Sequence, residues 1–222
     1  MQRKVLQYDL ALVGLLEQWS VQEQKDGRLQ QAAADAAEVH SRSQSLLSQF
    51  VNMRAPLREN IERQLDEVKR HTIDPAGADT AMIAYVDNER AIAACQARLG
   101  HKDGAIQTTT AATNFMRQSN LPHMRTKIAS QYSALAELHK DDLTKRIADM
   151  RQALDIYETS AFSNEDQDLI EYKAKLVWLL LANKQQQEAD TLFATMRPIF
   201  SRPDFTASGS YQPLVYDHYI KK

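Results

Sequence analysis

The sequence predicts an all-α fold, and three observations predict it. Only 6 Gly and 6 Pro interrupt 222 residues. Ala, Leu, Gln, Glu, Lys and Arg are abundant, and these side chains lose little rotamer freedom on a helix. No run of β-branched or aromatic residues alternates with a period of two, the mark of a half-buried strand. A chain of this length can bury a sizeable core in one large or two small domains.

From the amino end, Val5, Tyr8, Leu12, Leu15, Leu16 and Trp19 recur at three- and four-residue steps, which makes one helix face apolar. Lys25-Asp26-Gly27 ends that helix in a turn. A second helix is expected from about Arg28, through an Ala-rich stretch, to Leu46, Leu47, Phe50 and Val51. Pro56 supplies no backbone donor and its ring crowds the preceding turn, so it is expected to begin or kink a third helix. Leu57, Ile61, Leu65 and Val68 would be the apolar stripe of that helix. Residues 1–72 thus read as an amino-terminal region of about three helices. Its near-heptad stretch from Leu47 to Val68 suits intramolecular packing, with a coiled-coil partner as the alternative.

The stretch HTIDPAG, His71 to Gly77, reads as an internal boundary, because Asp-Pro does not continue a helix comfortably. Three helix hairpins are expected across 79–200: 79–98 with 104–118, 123–139 with 142–157, and 165–182 with 185–200. Ser163-Asn164-Glu165-Asp166 resembles a capping box at the start of the third. Residues 201–222 form a turn-rich tail that holds Phe205, Leu214, Val215, Tyr211, Tyr216 and Tyr219. That is too apolar for a solvated tail, so it is expected to fold back on the last hairpin or into a groove.

Charge and cysteine content narrow the function classes. The formal net charge is −2, with 27 basic and 29 acidic residues interspersed. A duplex-binding domain gathers a basic excess on one face, so nucleic acid is not an expected partner. The single cysteine, Cys95, has Ala91, Ile92 and Ala94 as neighbours and reads as a buried structural thiol. No segment approaches the ~18 apolar residues of a membrane helix, and Tyr8-Asp9 interrupts any signal-like start. The expectation is a cytoplasmic chain without membrane insertion.

Motifs that carry chemistry are few. The six histidines, His40, His71, His101, His123, His139 and His218, form no HExxH pair and no close His/Cys cluster, so no zinc or other metal site is expected. His101 and His139 fall at hairpin turns, near the negative end of the preceding helix, where a cation is favoured. Asn164-x-Asp166-x-Asp168 superficially resembles a calcium loop, but Leu169 stands in place of the turn Gly and Lys175 in place of the bidentate Glu. Helix capping is the preferred reading. There is neither a Gly-rich phosphate loop nor a GxSxG elbow. Glu89, Glu137 and Glu171 are not paired by spacing. No enzyme activity and no cofactor are expected.

The hairpin turns read GHKDGA from Gly100 to Ala105, DDLTKR from Asp141 to Arg146, and KQQQEA from Lys184 to Ala189. Ala105, Arg146 and Ala189 therefore recur at intervals of 41 and 43 residues. Such periods mark stacked supersecondary units, none able to bury its apolar face alone. In Gly100 and Ala105, Ala134 and Ala153-Leu154, and Ala189-x-x-x-Phe193, the chain resembles the tetratricopeptide-repeat family in its degenerate, long-repeat form. Gly27-x4-Ala32 matches the same turn. Arg146, Thr109 and Met150 depart from the family pattern. A generic helical bundle is the alternative.

The resemblance implies antiparallel hairpins stacked as a right-handed solenoid, with the first helix of each unit lining a groove for a peptide or helix. It assigns to that groove Asp87, Arg90 and Arg98, then Gln131, Leu135 and His139, then Glu171 and Trp178. Arg90 and Arg98 would face an acidic partner segment, or else pair a neighbouring carboxylate such as Asp87. Trp178 reads either as core or as an exposed anchor. Ala94 stands where members that bind chaperone tails carry Asn. The implied function is a protein–protein interaction scaffold, with a homo-oligomer through the amino-terminal helices also open. Two other readings stand beside it: a regulatory or sensor domain for a small molecule or signalling peptide, and a helical enzyme with an unrecognised site.

Overall fold

A computed structural model describes residues 2–160 and 166–221, and among these the regular structure is helical, with no strand. The chain gathers into two compact units, Met1–Leu121 and Pro122–Lys222.

The first unit contains α1 (Gln2–Lys25), α2 (Leu29–Lys69), α3 (Pro75–Arg98) and α4 (Lys102–Ser119). Gly27, at φ +78, takes the left-handed conformation that reverses the chain between α1 and α2. Leu6 and Val13 of α1 join Val39, Leu46 and Phe50 of α2, and Ala91, Ile92 and Cys95 of α3, in one buried cluster. Burial pushes the Cys95 thiol up to about 11, as an inert structural thiol requires. Thr109 and Thr113, buried on α4, donate to the carbonyls of Ala105 and Thr109 one turn earlier, so their hydroxyls enter the core satisfied.

Two expectations for this region are corrected. Pro56 neither begins nor ends a helix: α2 runs unbroken through it for 41 residues. Pro56 and Asn52, whose carbonyl loses its donor, both lie on the exposed side of the helix, where water can donate instead. On the inner side Phe50 and Ile61 are fully buried, one on each flank. Asn88 of α3 donates to the Phe50 carbonyl at 3.0 Å, and Arg54 grips Glu89 with two bonds of 2.8 Å. Burial on both flanks therefore outweighs the cost of the proline. Likewise the DPAG stretch is not a boundary between compact units but the start of α3. Asp74 is the N-cap, its carboxylate accepting from Ala76 N at 2.8 Å, and Pro75 opens the helix where no donor is needed. The units divide instead between Leu121 and Pro122.

The second unit begins with a 3₁₀ turn, Pro122–Met124, followed by α5 (Arg125–Leu138), α6 (Leu143–Glu158), α7 (Gln167–Ala182), α8 (Gln186–Phe200) and α9 (Gln212–Tyr219). Asp142 caps α6 by accepting from Lys145 N. Lys184, at φ 60, makes the left-handed turn between α7 and α8 that Gly100 makes between α3 and α4. The cap of α7 is Asp166, which accepts from the amides of Asp168 and Leu169. The expected capping residues Ser163, Asn164 and Glu165 lie outside the described residues. Ala105 and Ala189 are both fully buried.

The tail folds back on the last hairpin. Val215 is buried, Tyr219 stacks on Phe193 at 4.0 Å, and Phe205 stacks on Phe200 at 4.6 Å. The Glu171 carboxylate on α7 accepts from the amides of Ser210, Tyr211 and Gln212 at 2.8, 3.0 and 3.3 Å, closing the amino end of α9. Gly209 approaches that carboxylate at φ +72, and a Cβ there would stand 2.6 Å from Glu171 Oε2. Gly209→Ala should therefore destabilise the second unit by roughly 1–3 kcal/mol and expose the tail to protease. An unchanged melting temperature with an uncut tail would show that Glu171 does not anchor it.

Candidate interaction surface

Each helix of a hairpin pair can bury one stripe and must leave another outside. On the second unit the outward residues of the first helices are largely taken up within the chain. Leu135 is buried, and Trp178 packs half-buried against the core. His139 ends α5 with Nδ1 2.7 Å from Asp149 Oδ2. Burial raises the Asp149 pKa, and His139 opposes that rise. Glu171 holds the tail. Gln131 is 1% exposed, with neither amide atom bonded within the protein.

Beside Glu171, Lys175 donates to Ser133 Oγ at 3.0 Å and pairs with Glu137 at 2.6 Å. Tyr211 of the tail donates to the same Glu137 at 3.4 Å and sets its ring 5.7 Å from the Lys175 ammonium. Burial, then the adjacent Glu137, raise the Tyr211 hydroxyl pKa. Of the polar residues that the family resemblance assigned to a ligand, Glu171 is thus taken up by the tail, which also meets Lys175 and Glu137 beside it.

In the first unit Arg98 points back to α1, where its guanidinium donates to Glu17 Oε2 at 2.9 Å and lies against Gly14. The pairing of Arg98 with Asp87 considered from sequence is replaced by this contact across 81 positions. Asp87 is half-buried and Arg90 is exposed on α3. The eight residues assigned to one groove are therefore divided between the two units, three in the first and five in the second. A cleft of about 460 Å³ lies between the carboxyl-terminal half of α2 and α4. Arg58 reaches across it to sit 3.4 Å from the Phe115 ring centroid. Among the described residues no three His, Cys, Asp or Glu side chains converge.

Among the described residues, a row of exposed large apolar side chains lies on α1. This helix buries Leu6 and Val13, with Leu10 and Leu16 packed alongside. Val5, Tyr8, Leu12, Leu15 and Trp19 face outward at 53%, 76%, 39%, 50% and 59% exposure. The periodicity of this stripe was legible in the sequence. That it is the outside of the helix was not, because Leu6 and Val13, the true core residues, are fewer and lie one position away from it. Exposed apolar residues in a contiguous stripe mark a contact surface far more than scattered ones do.

No family model matches the chain, and no curated protein matches it in sequence. Among solved structures it is similar to the crystal structure of BtubC (BKLC) from P. vanneervenii, at 15% identity and a TM-score of 0.44, over 94% of this chain and 91% of that chain.

Proposed function

We propose that this chain is a protein–protein interaction module whose docking surface is the outward face of α1. The observation that carries the proposal is the stripe Val5, Tyr8, Leu12, Leu15 and Trp19, five large apolar side chains held out of the core on one rigid helix. A helix presenting apolar residues at three- and four-residue steps is complementary to another helix, whose own stripe it can cover. Tyr and Trp suit this task because they supply large contact area with few rotatable bonds. Among the described residues no helix is long and apolar enough to cross a membrane, and the buried thiol of Cys95 is compatible with a cytoplasmic location. The tetratricopeptide-like character of the hairpins is proposed on the burial of Ala105 and Ala189, which lets paired helices approach closely.

The test is a comparison of proximity-labelled partners in cells for the parent chain, Leu12→Glu/Leu15→Glu and Arg90→Ala. Both leucines are already half-exposed, so the double variant should keep the helical circular dichroism and melt within a few degrees of the parent. It should lose the partners that the parent and Arg90→Ala retain. A partner set lost with Arg90→Ala and kept without the two leucines would move the site to α3.

A further inference from the structure

Resting on the reading of α1 as a docking face, we infer that its occupant is α1 of a second copy of this chain, lying parallel to the first about a two-fold axis. The exposed stripe has steps of three and four: Val5, Leu12 and Trp19 hold one heptad position, and Tyr8 and Leu15 the other. The buried residues Leu6 and Val13 sit on the opposite side of the helix, so two copies can meet along the stripe with the rest of each first unit pointing away. A two-fold contact requires only that this one patch be self-complementary.

Two further observations identify a second copy as the occupant and fix its direction. The first is charge. In a parallel pair the residue before one core position meets the residue five places later on the other chain. That places Lys4 opposite Asp9 of the second copy, twice by symmetry. The next such pairs, Ala11 with Leu16 and Gln18 with Glu23, hold no like charges. The antiparallel register that layers Tyr8 on Trp19 and Leu12 on Leu15 would instead set Lys4 against Lys25. α1 as a whole carries three basic and three acidic residues, unlike the Lys/Arg-rich polar face of a helix that lies on a lipid surface. The second observation is area. At the exposures above, the five side chains present on the order of 500 Å² per copy, so a dimer would cover about 1,000 Å², the lower bound for a specific interface. An interface at that lower bound fits a weak, reversible dimer.

Sedimentation velocity on the full chain over a concentration series tests this. The parent should pass from monomer to dimer as concentration rises, and Leu12→Glu/Leu15→Glu should stay monomeric with unchanged circular dichroism. Lys4→Glu and Asp9→Lys should each weaken the dimer about 3–10-fold at low salt, and the charge-swapped double variant should restore it. A dimer strengthened by Lys4→Glu would overturn the parallel arrangement, and a dimer indifferent to Leu12 and Leu15 would overturn the face. A parent that stays monomeric and co-sediments with phosphatidylcholine/phosphatidylserine vesicles would assign the stripe to a lipid surface and overturn the inference. A monomeric parent whose labelled partners still depend on Leu12 and Leu15 overturns self-association alone. One whose partners ignore them overturns the docking face as well.

Discussion

Replacing Phe193 with Ala is expected to cost about 3–5 kcal/mol, the range for a buried aromatic whose cavity cannot collapse. The ring is fully buried on α8. It meets Phe200 edge-on at 5.8 Å and lies flat on Tyr219 at 4.0 Å with 8° between planes. Its loss removes transfer energy, opens a void, and leaves α9 without the surface on which it rests. Since small domains are stable by only about 5–15 kcal/mol, the second unit should be left marginal. The chain has two tryptophans, Trp19 in the first unit and Trp178 in the second. In a Trp19→Phe background, urea denaturation followed by Trp178 fluorescence therefore reads the second unit alone. Tyr219→Ala, which removes only the stacking ring, should cost less. A midpoint for Phe193→Ala within error of the parent would mean that the aromatic cluster is not packed as described.

The second large effect belongs to the first unit. Glu89 is 3% exposed on α3, and its two oxygens each accept from the Arg54 guanidinium at 2.8 Å. Arg54→Ala strands a carboxylate in the core and should destabilise the unit by about 2–4 kcal/mol. The lower part of that range reflects the arginine side chain, which is 40% exposed and leaves water a route to the charge. Arg54→Met/Glu89→Leu, which removes both charges together, should recover much of the loss. The readout is the denaturation midpoint reported by Trp19 in a Trp178→Phe background. A single variant costing as much as the double would show that the pair is not coupled.

The hairpin boundaries were legible in the sequence because local chemistry sets them. The helices at Pro75–Arg98, Lys102–Ser119, Arg125–Leu138, Leu143–Glu158, Gln167–Ala182 and Gln186–Phe200 fall within four residues of the expected spans. Gly100 supplies a left-handed turn, and Asp74, Asp142 and Asp166 supply acceptors for the first free amides of their helices. These are interactions over two to five residues, and a sequence displays them directly. The candidate site was less legible. Arg98 and Glu171 were expected to face a groove, but their partners, Glu17 and the amides of Ser210 to Gln212, lie 81 and about 40 positions away.

By itself, then, the sequence determined the helical class, the turns between hairpins, and one apolar stripe of α1. Tertiary structure decided which face of that helix was buried. Leu6 and Val13 are covered because α2 and α3 present Val39, Leu46, Phe50, Ala91 and Ile92 to that side, whereas hydrophobicity alone would have favoured the larger stripe with Tyr8 and Trp19. Packing also decided that α2 passes through Pro56, because burial of Phe50 and Ile61 on both flanks exceeds a cost confined to the solvent side. In both cases a short-range preference is worth one to a few kcal/mol, and the area buried between distant segments is worth more.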